Sequence, residues 1–509
     1  MEKRTIFAAS GSIMLSMLSV FSCTNAEKKP IVKTNPNIVI IYADDLGFGD
    51  IGVNGAKGVK TPNIDRLALH GVNFTDAHCS AATCTPSRFS LLTGSYGFRN
   101  KAAVLPGDAP LIIDPNKGTL PSMLQKAGYT TGVVGKWHLG LGSGTVNWNE
   151  EIKPGPREIG FDYSFLIPAT GDRVPCVFVE NQKVVGADPA DPITVSYGSE
   201  IDGYPTGTKR PELLVVKADP QHSNTIVNGV SRIGFMSGGK NALWTDEDFP
   251  FILTNKATSF IDENKAHPFF LYMAFHDIHV PRRPNEKFIG SSTMGARGDA
   301  IAQMDWCVGE VVKHLEELGL AQNTLIIFSS DNGPVLDDGY DDKAVELLGD
   351  HQPTGPFSGA KYSILEAGTR MPTIVYWPEM VKPGTSSVLL TQVDWYASLA
   401  SLVGQRVAPG DAPDSENHLD AWLGRSEKGR EYMLEEAYTL ALRKGDWKFI
   451  KPQTGGTPDW MKNKKVDSGL SNEIQLYNLK DDIREEKNVA AEHPEIVKEL
   501  AQKLESIIK

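Results

Sequence analysis

Residues 35–45 read NPNIVIIYADD. Ile38 to Tyr42 form an unbroken apolar run that ends on two aspartates, Asp44 and Asp45. A run this short and this rich in β-branched residues is expected to be a strand buried on both faces, because a strand with one wet face alternates. The chain therefore leaves a core and at once presents carboxylates.

Three other stretches repeat the pattern. GYTTGVVGKWHLG (128–140) exits into Lys136 and His138, PFFLYMAFHDIHVP (268–281) into His276, Asp277 and His279, and NTLIIFSSDNG (323–333) into Asp331 and Asn332. Helical stretches lie between them: TPNIDRLALHG (61–71), CTPSRFSLLTG (84–94), a short helix before Tyr129, and a long one from about 299 to 318. Strands alternating with helices predict an α/β fold with a mostly parallel sheet covered on both faces. Ligands of such sheets bind beyond the carboxyl ends of the strands. Four polar exits thus predict one shared site.

The exits sort by chemistry. Asp44, Asp45, Asp331 and Asn332 are oxygen donors, suited to a hard cation such as Ca²⁺ or Mg²⁺ rather than to zinc. Arg88, Lys136, His138, His279 and Lys361 form a cationic set suited to a tetrahedral oxyanion. Pro86 fits a first helical turn and Gly94 a helix end, so Cys84 is expected at the start of a helix, where an anion is favoured. As a residue it could be a disulfide partner of Cys79, a reactive thiol, or a precursor to another group.

The remaining sequence sets the frame. The formal net charge of −12 argues against nucleic acid as a partner. MEKR followed by an apolar run reads as an export signal over residues 1–22. VFSC at 20–23 resembles a lipobox, predicting a lipid anchor at Cys23 and a periplasmic or membrane-anchored bacterial protein; cleavage after Ala26 is the other reading. Residues 23–35 read as a linker, 36–422 as the main domain, and 423–509 as a smaller C-terminal unit of short alternating runs and a final helix. No other run is long enough to span a membrane. The segment from about 142 to 249 is rich in Gly, Pro and Asp and reads as an insertion carrying ligand contacts or surface loops. Cys307 falls on the apolar face of the long helix and reads as a buried thiol.

The motifs together resemble the type I, formylglycine-dependent sulfatases. CTPSRFSLLTG matches that family's Cys-x-Pro-Ser-Arg signature and GKWHLG its second, while ADDLGFGD, FHDIHVP, SSDNG and SGAKYSILEAGTRMP (358–372) follow in the family's order. ALRKGDWKFI and QLYNLKDD extend the likeness into the C-terminal unit. The resemblance implies an alkaline-phosphatase-like fold with an antiparallel-sheet-plus-helix subdomain at the C-terminus. It implies that Cys84 is converted by a maturation enzyme to formylglycine, whose diol attacks sulfur and forms a covalent sulfo-enzyme. It implies one Ca²⁺ held by Asp44, Asp45, Asp331, Asn332 and residue 84. Arg88, Lys136, His138, His279 and Lys361 would surround the sulfate, with His279 or Lys361 protonating the leaving oxygen and His138 acting in release.

An exported member of this kind fits the exo-acting desulfation of a sulfated glycan, of galactose or N-acetylgalactosamine sulfate. Asp172 and Arg173, in PATGDRVPCV, are candidate sugar contacts, with a surface ion pair as the plainer reading; His276 is a candidate beside the leaving group, with a structural role as the plainer one. Two other readings stand: a phosphatase or phosphodiesterase of the same superfold, and a catalytically silent glycan-binding lipoprotein.

Overall fold

The computed structural model describes residues 1–2, 35–455, 458, 461, 464 and 466–509, and Pro36–Lys509 form one compact unit. The export-signal and lipid-anchor readings fall on residues outside those described.

The NIVIIYA run is β1 (Asn37–Ala43), every residue of it buried. It lies at the centre of a ten-stranded sheet. The other strands are β2 (Val72–Phe74), β3 (Thr130–Lys136), β4 (Tyr163–Ile167), β5 (Val179–Glu180), β6 (Lys183–Val184), β7 (Phe269–Ala274), β8 (Thr324–Ser330), β9 (Thr373–Tyr376) and β10 (Gly384–Ser386), in the order β10-β2-β9-β8-β1-β7-β3-β4-β5-β6. The five strands from β8 to β4 run parallel. β9 and β2 add an antiparallel stretch on one side, β5 and β6 on the other.

Helices α1 (Pro62–His70) and α4 (Phe249–Asn264) both pack on α5 (Gly295–Glu317). Helices α2 (Cys84–Thr93), α3 (Leu120–Lys126) and α6 (Trp395–Leu402) pack on one another. These two groups supply the apolar cover that the fully buried central strands need.

Register brings the strand ends level. Tyr42 pairs with Ala274 and Ala43 with Ser330, while Gly135 pairs with Ala274. The polar residues after each strand therefore emerge side by side. Gly135 is needed there: its φ is +110°, and a Cβ would stand 1.8 Å from the Ala274 carbonyl oxygen.

β4 corrects the reading of 142–249 as insertion only, since it extends the central sheet beside β3. It is five residues long and set among turn formers, so it leaves little periodic signal.

The C-terminal unit is the antiparallel meander β11 (Met433–Glu436), β12 (Leu440–Lys444), β13 (Trp447–Ile450) and β14 (Gln475–Asn478), with α7 (Pro494–Ile508) packed on it. Leu434, Leu442, Phe449 and Leu476 meet Leu500 and Leu504 of α7. Lys448 of β13 ties this sheet to the main body, reaching Glu366 at 3.1 Å as well as Glu435 at 2.8 Å.

Candidate active site

Cys84 opens α2 and is 1% exposed, and Gly94 closes the helix at φ +63°. Its thiol is not in a disulfide, nor are those of Cys79, Cys176 and Cys307, all buried. The Cys79–Cys84 bridge is thus not formed. Cys84 Sγ lies 3.2 Å from His138 Nδ1. His138 Nε2 lies 2.9 Å from the Leu105 carbonyl, which can only accept, so the ring proton sits on Nε2 and Nδ1 faces residue 84 as an acceptor. Burial, with Lys136 and Arg173 adding to it, holds the imidazole well below its usual range, so the ring is neutral.

Beneath the cysteine lie the four oxygen donors. Asp44, Asp45 and Asp331 bring carboxylate oxygens within 4.8 Å of one another, all buried. The Asn332 amide donates to Asp45 Oδ1 at 2.7 Å. Asp44 Oδ1 and Asn332 Oδ1 have no hydrogen-bond partner. Buried oxygens are rarely left unpaired, and two of them beside converging carboxylates fit a hard cation. Burial, then the neighbouring Asp331, pushes the Asp44 carboxyl well up, with Lys136 opposing. A divalent ion would relieve that.

The cationic residues wrap the same centre. Arg88 donates from Nε to Asp331 Oδ2 at 2.9 Å, holds Nη2 2.8 Å from the same oxygen as an ion pair, and is fully buried. Lys136 pairs with Asp44. Lys361 Nζ bridges Asp45 Oδ2 at 2.9 Å and Asp338 Oδ2 at 3.2 Å. His279 donates through Nδ1 to the Val280 carbonyl at 2.7 Å, leaving Nε2 3.8 Å from Asp45 Oδ2.

Above them opens a cavity of about 240 Å³, lined among others by Cys84, His279, Lys361, Asp172 and Arg173. Asp172 is buried and Arg173 half-buried, the two paired at 2.8 Å in the cavity wall and not on the outer surface. Burial pushes the Asp172 carboxyl up, but Arg173, His279 and His222 outweigh it and hold the group well below the usual carboxylate range. His276 does not line the cavity. Its ring packs edge-on against Phe249 and His279, and a Cβ on Gly171 would meet its Nε2 at 2.4 Å. The structure places it behind the 170–173 loop, and Asp277 turns away to accept from Gln303 at 2.8 Å.

Sequence reasoning missed several lining residues: Asp338, His222, Tyr438 and Lys464. Asp338 follows the SDNG exit in an acidic run and was the most accessible of them. The others come from the irregular middle segment and the C-terminal unit, where no motif marks them.

Residues 36–405 match the sulfatase family model, and the chain belongs to that family of sulfuric ester hydrolases. Within it, the chain is 52% identical to the N-acetylgalactosamine-6-O-sulfatase of Bacteroides thetaiotaomicron over 476 residues, covering 93% of each chain. It is 31% identical to the steryl-sulfatase of Rattus norvegicus over 431 residues, 78% of this chain and 72% of that one. A solved Bacteroides thetaiotaomicron structure concerned with the metabolism of multiple glycosaminoglycans aligns with a TM-score of 0.91 at 52% identity, over 93% of this chain and 99% of that one. Sulfatases generally use formylglycine and Ca²⁺, and Cys84 and the oxygen nest are where this chain could accommodate them. Family membership decides for a sulfatase over the phosphatase reading.

Proposed function

We propose that the protein removes the 6-sulfate of N-acetylgalactosamine from the end of a sulfated glycan. One observation carries this reading: the cavity over residue 84 is lined by Asp172 and Arg173, a donor–acceptor pair suited to sugar hydroxyls, in a chain 52% identical to an N-acetylgalactosamine-6-O-sulfatase across 93% of its length.

Asp44, Asp45, Asp331 and Asn332 are the residues that would hold Ca²⁺, which when bound supplies a Lewis acid for the nucleophile and a sulfate oxygen. Oxidation of Cys84 to formylglycine, followed by hydration, supplies a hydroxyl nucleophile where Sγ stands, together with a second hydroxyl for release.

The chain's own side chains do the rest. Arg88, locked on Asp331, and Lys136 set positive charge beside residue 84, where sulfate oxygens gain negative charge in the transition state. His138 holds an unprotonated Nδ1 3.2 Å from residue 84 and can take a proton there. Lys361 faces the leaving sugar oxygen as a fixed positive charge: burial opposes its ammonium, but Asp45 and Asp338 outweigh that and hold it well above its usual range, so it steadies the oxygen by charge and gives up its proton reluctantly. His279 shares that wall but keeps its ring proton on the Val280 side, so it must gain a proton before it can donate one. Proton delivery to the leaving oxygen stays with His279 first, with Lys361 second.

Maturation of Cys84 by a dedicated enzyme, export by the N-terminal segment and lipid attachment at Cys23 complete the reading; its periplasmic setting suits scavenging of sulfated polysaccharide. Among the described residues no helix is long and apolar enough to cross a membrane.

A panel of defined sulfated monosaccharides tests the assignment by measuring free sulfate. Release from N-acetylgalactosamine 6-sulfate is expected, and release only from 4-sulfated or gluco-configured sugars would contradict it. Arg173→Ala should lower turnover of that sugar far more than of a small aryl sulfate, and equal losses would remove Arg173 from sugar recognition.

A further inference from the structure

The turn between β11 and β12 consists of Ala437, Tyr438 and Thr439. Tyr438 sits at its tip with φ +54°. That left-handed conformation suits Gly or Asn and is rare for a bulky L-residue. An aromatic side chain kept there against backbone preference calls for a use, because such outliers cluster at ligand sites.

Its location supplies one. Tyr438 is 42% exposed and lines the cavity that holds Cys84, Asp172 and Arg173. Its position relative to the nucleophile is fixed by main-chain bonds. Glu436 N donates to the Ser80 carbonyl at 3.1 Å, and Ala82 N donates to the Glu436 carbonyl at 2.8 Å. Ala82 stands two residues before Cys84. The turn closes on itself, with Ala437 and Thr439 exchanging both of their N–H bonds at 2.9 and 2.6 Å. The C-terminal unit thus presents a part-exposed aromatic ring, on a hydrogen-bonded mount, to a cavity whose lining includes the charged groups of Asp172, Arg173, Asp338, Lys361 and Lys464.

We propose that the Tyr438 ring is the stacking platform for the pyranose that carries the sulfate, and so a specificity-determining residue contributed by the C-terminal unit. This rests on the sugar-sulfatase reading above. A galacto-configured ring carries an axial O4, which leaves the opposite face a patch of C–H groups with no polar atom to satisfy. The polar edge of the sugar meets Asp172 and Arg173, while the C–H face needs an apolar partner, and an aromatic ring buries such a face without competing for its hydroxyls. Of the residues lining the cavity, Val104 and Ile233 are aliphatic and Tyr362 is almost wholly buried, whereas Tyr438 offers an open ring.

The test is steady-state kinetics of the matured, Ca²⁺-loaded protein on N-acetylgalactosamine 6-sulfate, read beside thermal melting. Tyr438→Gly and Tyr438→Asn both suit a positive φ, so the turn keeps its backbone conformation in both, and thermal melting checks that the fold is retained. Both should raise KM about tenfold, the order of one aromatic contact, with a smaller change in kcat. Tyr438→Phe, which keeps the ring, should return KM to within about threefold of the parent protein, as ring contact rather than the hydroxyl is what counts. An unchanged KM in the Gly and Asn variants, or a raised KM in the Phe variant equal to theirs, overturns the platform. Absence of sulfate release by the parent protein from this sugar is a different failure: it overturns the substrate reading, and the platform falls with it.

Discussion

At the residue scale the decisive position is Cys84. Its burial pushes the thiol up, with Lys136 and Lys361 only partly opposing, so at neutral pH the unmodified side chain is a thiol rather than a thiolate. A thiol is a poor nucleophile. Cys84→Ala should therefore lower sulfate release by about 10⁴ or more, as removal of a nucleophile does, while circular dichroism shows the fold retained. His138→Ala should cost about 10²–10⁴ in kcat, the usual range for a lost acid–base group, measured on the same substrate. The oxygen nest makes a third prediction. Asp44, Asp45 and Asp331 crowd negative charge into a buried centre, so a chelator should lower both Tm and activity, and Ca²⁺ should restore both. In Asp45→Ala that Ca²⁺-dependent rise in Tm should vanish; a rise equal to the parent's would remove Asp45 from the metal shell.

At the element scale, the strands carry the site and the end of β11 couples to pH. Gly135 lets the end of β3 lie against β7, and Gly135→Ala would force a Cβ onto the Ala274 carbonyl at a positive φ. A loss of about 2–4 kcal/mol is expected in denaturant unfolding. Glu436, at the end of β11, is a half-buried carboxyl that desolvation raises to about 7, although it accepts from Phe98 N. Between its ordinary value near 4.5 and 7 the folded protein binds the extra proton, so its contribution is full below about 4.5 and is lost as pH rises through 7. Melting curves should show a component of Tm falling across that window and absent in Glu436→Gln; an identical profile in the variant would contradict this. The strands β1, β3, β7 and β8 were legible because each is a continuous apolar run bounded by polar residues. β4 and the short antiparallel strands β2, β5, β6 and β9 were not, since their apolar runs are brief and their pairing is decided by distant partners.

At the scale of the whole molecule, a chain of net charge −12 builds a cationic centre for an anion by aligning strand ends. Parallel register explains why most of the candidate metal and sulfate residues could be read in advance: Asp44, Asp45, Lys136, His138, His279, Asp331 and Asn332 lie at or just past strand ends, and β1, β7, β3 and β8 end level, whereas Cys84, Arg88 and Lys361 were legible through their motifs. The sugar-facing wall is different. Asp338, His222, Tyr438 and Lys464 reach the cavity from loops and from the C-terminal unit, through contacts such as Glu436 with Ala82 that leave no mark in local sequence. Asp172 and Arg173 were legible only as a charged pair in an irregular loop. Residue 84 is expected to work as an aldehyde hydrate and not as a thiol. Mass spectrometry of the tryptic peptide spanning residue 84, taken from sulfate-releasing protein, tests it most directly. The aldehyde form at residue 84 is expected in proportion to activity; active protein carrying only the unmodified thiol would overturn the role given to residue 84.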